Sequence, residues 1–118
     1  MTLSKVSILA AVTRMEREEP SDEFGGALLL HELTRAEYRA IARAADMGDG
    51  KINVDQWNGG IFAAGVIDPE TKEPMFTIDE ILAWPQRAVL WDEITRVATV
   101  ILDLSAVGPA PLDPPSAD

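Results

Sequence analysis

The chain contains no cysteine and only one histidine, His31, in 118 residues. Without thiols, disulfides, cysteine nucleophiles and thiolate metal sites are excluded. Basic residues are also scarce: 10 Lys and Arg stand against 20 Asp and Glu, a net charge of −10. That balance repels phosphate backbones and anionic lipid head groups, so neither nucleic acid nor a membrane surface is an expected partner. No uncharged apolar run approaches the ~20 residues that span a bilayer. Met1 to Met15 lacks the basic region, unbroken apolar core and cleavage site of a signal peptide, and a soluble protein is expected.

What is present is apolar material: 47% of the residues are hydrophobic, enough for one small domain of the common ~100–150-residue size. Ile8, Ala11, Val12 and Met15 recur at helical spacing between about Leu3 and Glu18, with Val6, Leu9 and Ala10 around the other side. Such a helix is either well buried, the simpler reading, or keeps one face for a partner. Glu16 to Glu23 reads as a charged connector broken by Pro20. After Gly25-Gly26, the run Ala27-Leu28-Leu29-Leu30 predicts a buried strand.

Three helix starts carry their own capping signals. Thr34-Arg35-Ala36-Glu37 and Thr77-Ile78-Asp79-Glu80 are capping boxes, and Asn53 leads Val54-Asp55-Gln56 in the same way. Gly48 and Gly50 end the first of these helices. Gly59-Gly60 lies inside the second, where each glycine costs about 1 kcal/mol relative to alanine. Either that helix breaks there or another backbone passes close by. Asp68-Pro69 to Pro74 is a polar turn across which Val66-Ile67 and Met75-Phe76 can pair as a short hairpin. Beyond Trp84-Pro85, Leu90, Ile94, Val97, Ile101 and Leu104 form the seam of a ~20-residue helix, as core or as interface.

The fold class predicted is mainly α, four to five helices with a short β-hairpin as a minor element. The organisation is an N-terminal helix and charged connector over 1–23, a helical core over 24–105, and a Pro-rich tail without fixed structure over 106–118.

No catalytic or metal-binding set can be assembled. Asp49-Gly50-Lys51-Ile52-Asn53 looks like half of a calcium loop, but with Gly50 at loop position six, Ala45, Met47 and Gln56 occupy positions one, three and twelve, leaving Asp49 alone as a ligand. A Gly-rich interhelical turn with Asn53 as cap is favoured. His31 has no accompanying nucleophile or acid and is read as structural. Asp79-Glu80 and Asp92-Glu93 point about 100° apart on their helices and read as solvated faces. Gly25-Gly26 and Gly59-Gly60 lack the spacing and lysine of a phosphate loop. Trp57, Phe62, Trp84 and Trp91 would supply the core, and any of them that is exposed becomes a binding anchor.

One order of segments stands out. Phe24-Gly25-Gly26 is followed by Glu32-Leu33-Thr34-Arg35-Ala36-Glu37, then Ala64-Gly65-Val66-Ile67-Asp68-Pro69, Met75-Phe76-Thr77 and an aliphatic helix ending Leu102-Asp103-Leu104-Ser105. From about Phe24 to Leu104 this order and spacing resembles the tail assembly chaperones of long-tailed phages. The wholly apolar Ala27 to Leu30, where members tend to alternate apolar and basic residues, and the added N-terminal helix depart from that pattern.

The resemblance implies a non-enzymatic role without cofactors or metal, in the host cell cytoplasm. Its partners would be the tape measure protein, which such chaperones coat, and the tail tube protein, which they help recruit; a homo-oligomer is compatible with that role. The apolar residues offered for partner binding are Val6 and Leu9, the aromatics Trp57, Phe62 and Trp91, and Ile94 and Ile101 on the closing seam. The competing reading is a minor tail or tail-completion protein retained in the virion. A DNA-mimicking decoy is disfavoured by basic residues interleaved with the acids, as at Arg35, Arg39 and Arg43.

Overall fold

The computed structural model describes residues 2–105; the tail expected over 106–118 lies outside the described residues. The elements run α1 (Lys5–Ala11), β1 (Glu16–Ser21), β2 (Gly26–His31), α2 (Arg35–Ala45), β3 (Asp46–Gly48), β4 (Lys51–Ile52), α3 (Val54–Gly65), β5 (Val66–Ile67), α4 (Ile78–Leu82) and α5 (Ala88–Ser105). Of the described residues, 51% are helical and 19% are in strands, so the domain is mixed α+β and the mainly α expectation is corrected.

The correction comes chiefly from β1. Glu16 to Ser21 contains no aliphatic or aromatic residue, so no apolar alternation announces a strand. Its backbone is instead held by the apolar β2, antiparallel, from Glu16↔His31 to Ser21↔Gly26. The segment expected as a connector is therefore part of the sheet, and the boundary drawn at residue 23 falls inside a hairpin. The turn closes with the Gly25 N–H donating to the Ser21 carbonyl at 2.9 Å. On the other side of β2 lies β5, through Leu29↔Ile67 and Leu30↔Val66. β1 is thus an edge strand, and its charges and Pro20 guard it against pairing with another chain.

The three capped starts form as their side chains dictate. Thr34 and Thr77 make complete capping boxes, and Asn53 Oδ1 accepts from the Gln56 N–H. Between α2 and α3, the Gly-rich turn is a β3–β4 hairpin whose central Asp49 and Gly50 both have positive φ, as a type I′ turn requires. The hairpin expected around Asp68 to Pro74 shrinks to a single Ile67↔Pro74 bridge on the edge of β5 opposite β2, where Pro74 has no N–H to donate to a longer ladder.

α3 runs unbroken through Gly59-Gly60, and what approaches them is side chain, not backbone. A Cβ at Gly60 would lie 3.0 Å from Ile41 Cγ2, and one at Gly59 would lie 3.1 Å from Ile78 Cδ1. These glycines let α2 and α4 close onto α3. Around this helix Leu30, Ile61, Phe62, Val66, Ile81, Ile94, Val97 and Ile101 form the buried core. Among the described residues no helix is long and apolar enough to cross a membrane.

Candidate interaction surface

α1 is built by local chemistry alone. Ser4 Oγ caps it by accepting from the Ser7 N–H at 3.1 Å, and Val12 N–H donates to the Ile8 carbonyl at 3.1 Å. None of its residues is buried, which overturns the expectation of a well-buried helix. Val6 is 77% exposed, Leu9 52% and Val12 70%. Lys5, Ile8, Leu9 and Val12 stand at i, i+3, i+4 and i+7, so they share one stripe with the cation at its N-terminal end. Seven residues fall short of the ~12–15 at which an isolated helix becomes even marginal in water. With no residue buried, packing inside its own domain does little to offset that shortfall.

The helix is nevertheless attached at a defined place. Met15 N–H donates to Glu32 Oε1 at 2.8 Å, and Glu32 N–H returns a bond to the Met15 carbonyl at 3.0 Å. Arg14 beside it ion-pairs with Glu37, and its Nη1 lies 3.3 Å from His31 Nδ1. His31 is 4% exposed, and its Nε2 donates to the Ala64 carbonyl at 2.9 Å, which leaves Nδ1 to accept from Arg14. Both ring nitrogens are therefore spent on holding β2 to the end of α3 and to the N-terminal segment. Burial alone would raise the Glu37 carboxyl, but the Thr34 backbone N–H and Arg14 outweigh it and hold it below the ordinary glutamate value.

At the other end of β1 the strand is clamped to α5 by charge. Arg96 grips both Glu93 oxygens at 2.8 Å, reaches Glu19 Oε2 at 2.7 Å and donates to the Pro20 carbonyl at 3.0 Å. Ser21 donates to Glu93 Oε2 at 2.5 Å, and Arg17 Nη2 is 3.1 Å from the remaining Glu19 oxygen, an ion pair without hydrogen-bond geometry. The Arg96 hydrogen bonds, more than the Ser21 hydroxyl, hold the Glu93 carboxyl below its usual range, and the two carboxylates in turn push the Arg96 guanidinium up. Glu93 is thus a bonded, mostly buried member of a clamp, not the solvated residue expected of Asp92-Glu93. The sequence signal for it was the i, i+3 spacing to Arg96; Glu19 had none.

Beside the clamp lies an open groove of about 490 Å³. One wall is the α5 stripe Val89, Asp92, Glu93 and Arg96; Pro20, Asp22 and Glu23 of the hairpin form the other. Val89 is 60% exposed on its rim. Glu93 and Arg96 satisfy each other, and Glu23 faces Arg87 at 3.8 Å, whereas Asp22 and Asp92 make no ion pair among the described residues.

The remaining partner-binding residues divide. Phe62, Ile94 and Ile101 are core, at 1% exposure or less, so the closing seam is filled by the domain itself and these three are corrected from partner to packing residues. Trp57 and Trp91 are half-buried against the core. Trp57 meets Tyr38 edge-on at 5.6 Å, and Trp91 Nε1 donates to the Pro85 carbonyl at 3.1 Å. Trp84 closes an aromatic cluster with Phe24, Phe62 and Phe76. None of the large aromatics stands free as an anchor; Val6 and Leu9 alone of the seven residues are exposed. Among the described residues no three His, Asp or Glu side chains gather as a metal-binding group. Comparison with known proteins adds no relative: no protein-family model matches the chain, and neither do any curated protein or solved structure.

Proposed function

We propose that the protein is a non-catalytic tail assembly chaperone, acting in the host cytoplasm, that binds the tape measure protein and assists assembly of the tail tube around it. The observation that carries this reading is α1: an apolar helix displayed, unpacked, on an acidic folded domain. A long helical client offers an apolar stripe of its own, and a stripe at i, i+3, i+4 and i+7 is the pattern by which one helix docks on another. The net charge of −10 disperses the resulting complex. The order of segments from Phe24-Gly25-Gly26 to Leu102-Asp103-Leu104-Ser105 supports the same family.

Co-expression of the tagged protein with the long helical tail protein of its own source tests the reading. A client that is insoluble alone is expected to be recovered as a soluble complex, and Leu9→Asp is expected to lose it while the domain stays folded. A client equally insoluble with and without the chain would sink the chaperone and favour a tail component retained in the particle, which detection in purified virions would identify.

A further inference from the structure

α1 and the groove are complementary within one chain. The first fifteen residues carry Lys5 and Arg14 and no acid, so the eight basic and twenty acidic residues that follow amount to −12. Arg14 is consumed by Glu37 and His31, which leaves Lys5 as the cation of the α1 stripe. The groove offers the converse: an exposed Val89 flanked by Asp22 and Asp92, two acids without an ion pair among the described residues. Its α5 wall is itself a stripe at i, i+3, i+4 and i+7, the length of the α1 stripe, so the two helices can lie alongside one another.

We infer that α1 of one copy docks in the groove of a second copy, with Ile8, Leu9 and Val12 against Val89 and Lys5 against Asp22 and Asp92. Attachment geometry rules out the same contact within one chain. Met15 is pinned to Glu32 at the start of β1, and the groove begins at Pro20, about 17 Å away at 3.4 Å per strand residue. Only Val12, Thr13 and Arg14 separate α1 from that anchor, so the stripe cannot lie along its own groove. Between copies the contact is heterologous, helix to groove, so each pair leaves one helix and one groove free. This is a property of the chain alone and does not rest on the client.

Light scattering of the purified full chain across a concentration series, coupled to size exclusion, tests it. The wild type is expected to rise above monomer mass with concentration. Leu9→Asp and Val89→Asp are each expected to weaken association at least about tenfold, with thermal midpoints unchanged in dilute solution because both sites are exposed. Mixing the two variants is expected to restore a 1:1 complex, since one keeps the groove and the other keeps the helix. Lys5→Glu is expected to weaken association and Asp92→Lys to restore it in that background. A wild type monomeric at every concentration would overturn the inference. So would association that survives Val89→Asp, or a mixture that fails to recover, because either places α1 on some other surface.

Discussion

α5 buries Leu90, Ile94, Val97, Ala98 and Ile101, whereas α1, similarly rich in aliphatic residues, buries none. The difference lies in what faces each helix. α3 offers α5 a surface cleared of side chains: at Gly65 an added Cβ would lie 2.5 Å from Ile101 Cδ1 and 2.7 Å from its Cγ2. Nothing comparable is offered to α1, whose residues are all exposed and which is followed by the polar attachment of Arg14 and Met15. An apolar stripe is a demand for cover, and the opposing element decides whether the domain or a partner supplies it.

Core substitutions should break the comparison on the α5 side most strongly. Ile94→Ala empties a fully buried position and is expected to lower stability by about 2–5 kcal/mol in urea denaturation. Gly65→Ala should follow: about 1–3 kcal/mol of overpacking against Ile101, reduced by the roughly 1 kcal/mol that alanine gains over glycine in a helix. Arg96→Ala strips the 7%-exposed Glu19 of its shorter ion pair. Arg96 itself is 42% exposed, which moderates the loss to about 1–2 kcal/mol, read by the same denaturation.

Acid separates the two attachment points. Glu37 and Glu93 both have carboxyls held below the ordinary value, so each stabilises the fold fully above the unfolded glutamate range near pH ~4.3. That contribution is lost as pH falls through their lowered folded values. Thermal midpoints are expected to be flat from neutral pH to that range and to fall beneath it, with Glu93→Gln and Glu37→Gln each flattening part of the fall. The smallest stability effect belongs to α1: Leu9→Asp is expected to move the unfolding free energy by no more than about 0.5 kcal/mol, while weakening the inferred association at least about tenfold.

Much of this was legible in the residues. Thr34, Asn53 and Thr77 start their helices through side chains that reach only three residues onward, so local sequence suffices. Ala27 to Leu30 announced its strand by apolar content. β1 was not legible, because its strand conformation comes from β2 pairing and its inward Glu19 and Ser21 are tolerated only through Arg96 and Glu93, more than 70 residues away in sequence. Gly59-Gly60 signalled a close approach without saying that Ile41 and Ile78 make it. Periodicity named the apolar faces of α1 and α5 alike but could not assign the first to solvent and the second to core, since that depends on the packing of α3.

Hydrogen exchange on the free protein at low concentration and on its complex with the co-expressed helical tail protein bears most directly on the contrast between the two helices. The account predicts α5 amides protected in both states, near the global unfolding limit, and α1 amides exchanging rapidly when free and slowing in the complex. Protection of α1 equal to that of α5 in the dilute, free chain would contradict it, because the helix would then be packed within its own domain.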